Sequence, residues 1–284
     1  MSIYNVIFEQ LNDYCVDEFS LNVCRNLWSN LWHLPLDTFP EPSPLPGAYA
    51  FSDKKYDPAF FEEARQRLMG SEWFTPYDVV EFLAKEFNAI DEECPVDENV
   101  ANVDLLLSGA GSLLSSFTDD INKAFTRERS GYRLVGVSVA PITNNAEISS
   151  LERSLAAPDR FSGARMHMKK ALEHYSLKPK PDLSNTIKEA ILAVESATRI
   201  VVGSDKDTLG AALKKIQKTS SIHPALIGGW SKLYGFTNDE DGIRHASNTG
   251  DLRIDEPLAQ YMLVSCSAFS NYLMTLEAMK NSAK

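Results

Sequence analysis

"LSNTIKEAILAVESATRIVVG", Leu183 to Gly203, is the stretch on which the fold turns. Ile187, Ile191, Val194, Thr198 and Val201 recur at three- and four-residue intervals, so they share one stripe of an amphipathic helix. Gly203 stands where a left-handed C-cap would close that helix. One side chain breaks the pattern. With Ile187 at zero, Glu195 falls at about 80°, beside Val202 at the edge of the stripe, where an unpaired carboxylate is costly. Glu195 therefore predicts a cationic partner, and Arg244 is the expected one. A structural pair and a functional pair fit that position equally.

The segments around it repeat the logic. "SGARMHMKKALEHYSL" precedes the break "KPKPD". "DTLGAALKKIQK" and "HPALIGGWSKLYG" follow, then the closing helix "EPLAQYMLVSCSAFSNYLMTLEAM". Leu258, Tyr261, Met262, Ser265, Phe269, Tyr272, Leu273 and Leu276 line the predicted inner face of that last helix. Amphipathic helices joined by short loops predict a helical bundle over residues 158–284, with "PDRFSG" supplying turn residues at the border near 157.

Residues 1–157 read as helices with one change of pattern. "LNVCRNLWSNLWHL" sets Trp28 and Trp32 on one helical face, predicted to be core. "PLDTFPEPSPLPG" carries five prolines between Pro35 and Pro46 and reads as an extended loop. "DPAFFEEARQRLMG", "SEWFTPYDVVEFLAKEF" and "NVDLLLSGAGSLLSSFTDDINKAFTRER" resume helical spacing. "YRLVGVSVAPIT", Tyr132 to Thr143, is rich in β-branched residues without a helical period, and predicts a strand or hairpin. The fold class is thus mainly α: a helical N-terminal domain with a short β element, then the bundle.

Composition narrows the function. The 284 residues suit two domains, and 44% hydrophobic with 24% charged residues is the balance of a globular protein. A formal charge of −11 excludes a generic DNA-coating protein, because non-specific phosphate binding rests on Lys and Arg. Cys15, Cys24, Cys94 and Cys266 are scattered, and the start "MSIYNVIFEQLNDYC" lacks the pattern of a secretory leader, so reduced thiols in a cytoplasm are expected. No apolar run reaches the roughly 18 to 20 residues of a membrane span.

Familiar catalytic signatures are absent: there is no phosphate-binding G-x-x-x-x-G-K-[ST] loop and no H-E-x-x-H, and "SGAGS" at Ser108–Ser112 lacks a preceding strand. His167 and His174 lie seven apart, flanking the apolar stripe of Met168, Leu172 and Tyr175, with no further ligands to complete a metal set. "YGFTNDEDGIRHASNTG" is the segment that offers chemistry. Thr237 and Glu240 have capping-box spacing, so a helix is predicted to begin near Asn238. Glu240 and Arg244 are four apart, a spacing that fits a bracing ion pair. Asp241 and His245 are also four apart, and a carboxylate beside imidazole fixes its tautomer.

In order and spacing, "NTIKEAILAVES", "DTLGAALKKI", "HPAL", "LYGFTNDEDGIRHA" and "LVSCSAFSNYL" resemble the C-terminal half of the AbiJ-like abortive-infection proteins of bacteria, assigned to the HEPN superfamily of helical bundles. "RNLWSNLWHLPLDTFP", "WFTPYDVVEFL" and "YRLVGVSVAPIT" resemble the N-terminal domain that accompanies it. The resemblance implies an anti-phage toxin: a metal-independent ribonuclease, without cofactor, acting as a homodimer on RNA. A neighbouring inhibitor or a phage-derived trigger would control it. His245 would move protons and Arg244 stabilise phosphate charge, with Asp241 orienting and Glu195 supporting. Asn185, Lys188, His167 and Asn248 are the candidates for RNA contact. In the family pattern arginine precedes histidine by about five to seven positions; here the two are adjacent, about 100° apart on an ideal helix. The alternative is a HEPN-like module that binds RNA or protein without catalysis and signals to a separate effector.

Overall fold

A computed structural model describes residues 25–34, 66–68, 70–93, 112–204, 206–219, 222–238 and 254–282. The proline-rich segment 35–46, most of the helix expected from Asp57, the stretch 101–111 and the first three cysteines lie outside the described residues, as does the side chain of Trp28. The described fold is mainly helical with one small two-stranded sheet. The chain divides into two compact units, Met1–Pro141 and Ile142–Lys284.

The first unit is built on α1 (Thr75–Glu93) and α2 (Leu113–Arg127), preceded by a π-helical turn at Leu27–Leu31. Val79, Val80, Leu83, Ala84 and Phe87 of α1 meet Phe117, Ile121, Ala124 and Phe125 of α2, with Leu27 buried against them. Both sets follow the helical period, so each helix buries one stripe. Pro76 sits in the first turn of α1, where a missing N–H costs nothing. The start of α2 is satisfied twice over: Ser112 accepts from Ser115 N, and the Asp91 carboxylate of α1 accepts from Leu113 N and Leu114 N, both at 3.0 Å.

The hairpin falls where the β-branched run lies, with β1 (Arg133–Val135) antiparallel to β2 (Ser138–Ala140) and Leu134 opposite Val139. Gly136, at φ 58°, supplies the left-handed residue that a two-residue hairpin loop demands. A lone hairpin is marginal in water. Helix side chains complete this one: Asn122 of α2 bonds both the N–H and the C=O of Leu134 at 2.8 Å, and Glu81 of α1 accepts from Val139 N at 2.7 Å.

The second unit is a bundle of α3 (Asn145–Leu155), α4 (Ser162–Ser176), α5 (Leu183–Val202), α6 (Leu209–Thr219), α7 (Pro224–Asn238) and α8 (Glu256–Ser282). A 3₁₀ turn at Asp159–Phe161 leads into α4, within the stretch read as a turn. Helix α5 is the hub, packed against α4, α6 and α8, while α8 also lies on α3 and α4. Ile187, Ala190, Ala193, Val194, Ala197 and Thr198 are fully buried, so α5 is apolar over a wide arc. Asp182 caps its start, and Gly203, at φ 67°, closes its end. On α4, a Cβ added at Gly163 would meet Ser196 Oγ at 2.6 Å, so the glycine lets α4 approach α5 closely.

One sequence expectation is corrected in α8. Tyr261 and Tyr272 are exposed, and the buried residues of α8 are Ala259, Met262, Leu263, Cys266, Ser267, Phe269, Ser270, Asn271, Leu273 and Glu277. The inner face is rotated by about one residue because α8 packs against several helices, not one. Small and polar residues fill its contact with α3: Ser150 Oγ lies 2.8 Å from Ser267 Oγ, Asn271 Nδ2 donates to Ser150 O at 2.8 Å, and Ser154 Oγ donates to Asn271 Oδ1 at 3.1 Å. On another side of α8, Trp230 of α7 stacks on Phe269 at 4.1 Å.

Candidate functional site

Helices α4 and α5 run antiparallel, since Gly163 meets Ser196 at one end of their seam and His174 faces Asp182 at the other. The two histidines of α4 are seven residues apart, and so are Asp182 and Glu189, which brings the side chains to two matching levels. His167 Nδ1 lies 2.7 Å from Glu189 Oε2, and His174 Nδ1 lies 4.0 Å from Asp182 Oδ2. Asn185 sits between these levels and donates to Asp182 from both its backbone N (3.1 Å) and its Nδ2 (2.7 Å). Burial works against the Asp182 charge, yet the two hydrogen bonds from Asn185 and the nearby His174 together hold its carboxyl below the ordinary value. Lys188 is exposed, next to Glu189.

Glu195 stands six residues beyond Glu189, about 9 Å along the helix, and belongs to a different cluster. It is buried and accepts a hydrogen bond from Arg199, one turn on. Arg199 Nε donates to Asp207 O at 2.7 Å, and Lys215 of α6 pairs with the Asp207 carboxylate. The Lys215 hydrogen bond, joined by Ser204 and by the charges of Lys215 and Arg199, outweighs burial and holds the Asp207 carboxyl below its ordinary value. Four charged groups thus fasten the end of α5 to the start of α6.

The structure therefore puts His167 and Asn185 at the α4–α5 seam, leaves Lys188 exposed on α5, and puts Glu195 apart from them. Asp241, Arg244, His245 and Asn248 lie in 239–253, outside the described residues, as does Glu240 of the expected capping box. Thr237 is inside α7, and its hydroxyl donates to Tyr234 O at 2.8 Å. The partner that Glu195 takes among the described residues is Arg199. Its signal was present in the sequence, since glutamate four residues before arginine is the favoured order for an ion pair on one helix. Glu189 and Asp182 had a weaker signal, a seven-residue spacing matching that of the histidines on a separate segment.

A histidine whose Nδ1 is engaged by a carboxylate has a fixed ring orientation and keeps Nε2 for proton transfer, which is the geometry of general acid–base chemistry. The same pair also ties two helices together. Among the described residues no group of three or more His, Cys, Asp or Glu is placed to hold a metal ion, and no helix is long and apolar enough to cross a membrane. Burial in an apolar setting pushes the Cys266 thiol up, away from the reactive thiolate.

No curated protein and no solved structure matches the chain. The model of one family, AbiJ N-terminal domain 4, matches residues 1–157, which include α1, α2 and the hairpin of the first unit and helix α3 of the second. With more than half of its length so matched, the chain belongs to the AbiJ N-terminal domain 4 family, and is an abortive-infection-associated protein.

Proposed function

We propose that the chain is an anti-phage effector whose second unit is a HEPN-type, metal-independent ribonuclease working as a homodimer. One observation supports the reading: an AbiJ N-terminal domain is joined to a second unit that is a helical bundle, and the sequence of that unit resembles the HEPN half of such proteins. In the proposed reaction the 2′-hydroxyl of RNA attacks the adjacent phosphorus, the new O–P bond forms and the P–O5′ bond breaks. His245 exchanges the protons of attacking and leaving oxygens, Arg244 carries the phosphate charge, and Asp241 orients the imidazole. Asn185, Lys188, His167 and Asn248 contact the strand, and Glu195 supports the helix carrying the first two.

The test is induced expression in bacteria with growth and RNA integrity followed together. Wild-type protein arrests growth and leaves fragments ending in a cyclic phosphate, and purified protein cleaves in the presence of a chelator. Arg244→Ala and His245→Ala each abolish cleavage and arrest while leaving a dimer by light scattering; Asp241→Asn weakens them less. Intact RNA with every trigger supplied refutes the enzyme. The adjacency of Arg244 and His245, about 100° apart on an ideal helix, favours a second reading, a non-catalytic RNA- or protein-binding module that signals to a separate effector. In that case both alanine variants keep the phenotype.

A further inference from the structure

Helices α3 and α8 leave between them an open groove of ≈ 380 Å³, lined by Ser149, Ser150 and Arg153 on one side and Asn271, Tyr272 and Thr275 on the other. That volume is within the range of about 300–1,000 Å³ typical of small-ligand sites. Arg153 is the only charged side chain in the lining. It is exposed and makes no hydrogen bond or ion pair among the described residues, although the chain carries 39 acidic against 28 basic residues. From Pro257 to Leu276, α8 has no charged side chain to offer it. The position of Arg153 in the last turn of α3 suits the helix dipole but fills none of the guanidinium's donors.

The opposite wall has an unfinished aromatic stack. Trp230 lies on Phe269 (4.1 Å, 15° between planes), and Phe269 on Tyr272 (6.3 Å, 28°). Tyr272 ends the series at 38% exposed, in the groove lining. Below it the floor is fixed, because Asn271 is committed to Ser150 and Ser154 and Thr275 Oγ1 donates to Asn271 O. The hydroxyl of Ser149 is without a partner among the described residues.

We propose that this groove binds a nucleotide, with the phosphate on Arg153 and the base stacked on Tyr272. A planar, delocalised guanidinium without a carboxylate matches phosphate oxygens in two parallel hydrogen bonds. An exposed ring ending a stack gives a base a sequence-tolerant platform. Ser149 and Thr275 supply hydroxyls for the sugar or base edge. An apolar helix seated in the same groove would desolvate Arg153 without pairing it, which disfavours that occupant. The proposal stands on the groove and not on the cleavage reading. The nucleotide is either free or one residue of an RNA strand.

Purified full-length protein is titrated with a fluorescent single-stranded RNA decamer and, separately by calorimetry, with adenosine and guanosine 5′-monophosphates. Saturable binding of at least one probe is expected. Arg153→Gln weakens it by at least about tenfold, and Tyr272→Ala by roughly 5- to 100-fold, while Tyr272→Phe retains it. Ser149→Tyr fills the groove and abolishes binding, which gives a second variant if Tyr272→Ala does not fold. Competition of the decamer by free nucleotide identifies a mononucleotide site; binding of the decamer alone identifies a strand site. No saturable binding of either probe, or unchanged affinity in Arg153→Gln, overturns the proposal. So does a dimer that these variants dissolve while probe affinity is unchanged, since the groove is then a protein interface. Groove binding is read by equilibrium titration and cleavage by RNA fragmentation, so failure of one is distinguished from failure of the other.

Discussion

Removing either partner of the Glu195–Arg199 pair should have unequal consequences. The Glu195 side chain is 12% exposed and that of Arg199 36%. In Glu195→Ala the guanidinium keeps its bond to Asp207 O and a third of its surface in water, so the loss should be about 1 kcal/mol, the net value of an ordinary hydrogen bond. In Arg199→Ala the carboxylate stays behind, nearly buried, between the apolar flanks of α5. Breaking buried pairs by removing one partner costs about 3–5 kcal/mol, and residual exposure puts this case at about 3. The double variant strands no charge and should recover about 1–2 kcal/mol relative to Arg199→Ala alone. Urea unfolding of the full chain, fitted with two transitions because it forms two units, reads all three on the same protein. Equal losses in the two single variants, or a double variant no better than Arg199→Ala, would show that Glu195 is solvated or paired elsewhere and would refute the reasoning.

Asn271→Ala removes two cross-helix hydrogen bonds, to Ser150 O and from Ser154 Oγ, and should lower the second unit's stability by about 2 kcal/mol in the same assay. The loss stays near that value because Ser154 Oγ retains the carbonyls of Ser150 and Ser267. Asp182 carries a pH signature: with a folded pKa below its ordinary 3.8, its contribution is complete above that value and is lost as pH falls through the folded one. The stability gap between wild type and Asp182→Asn should close in the wild type's disfavour as pH falls towards about 2; a gap that does not change over that acid range counts against the Asn185–Asp182 bonds.

What the sequence showed clearly was whatever repeats within one helix. The α5 stripe, its Gly203 end and a strand or hairpin within Tyr132–Thr143 all follow from local spacing and composition. What it hid depends on register between segments. Nothing around Asn122 marks it as the residue that completes the outer edge of β1, because its partner Leu134 is set by how α2 lies on the hairpin. The two tyrosines of α8 have the spacing of an inner face, yet the face that counts is chosen by several neighbouring helices. Glu195 is legible as a buried acid; its partner among the described residues, Arg199, is less conspicuous because an ion pair within one helix leaves no gap in the pattern, and Arg244 lies outside those residues. Asp182 and Glu189 opposite the two histidines required the antiparallel turn between α4 and α5 to be known first.

The family match ends at residue 157, but the packing divides the chain between Pro141 and Ile142, and the difference is helix α3. The matched segment thus carries a helix whose buried side chains, Ile148, Leu151 and Ser154, belong to the core of the second unit. Each of the two apolar ones contributes about 1.5–3 kcal/mol on burial, and the hydrogen bonds of Ser150 and Ser154 to α8 about 1 kcal/mol apiece. Their sum is comparable to the 5–15 kcal/mol that holds a typical domain folded. A fragment of residues 158–284 should therefore melt early or aggregate, with the α3-facing side of α8, Ser267 and Asn271 included, exposed to water. Residues 142–284 should unfold cooperatively. Circular dichroism melts of the two fragments decide it: a cooperative, equally stable 158–284 would mean that α3 is an accessory of the first half and that the bundle core closes without it.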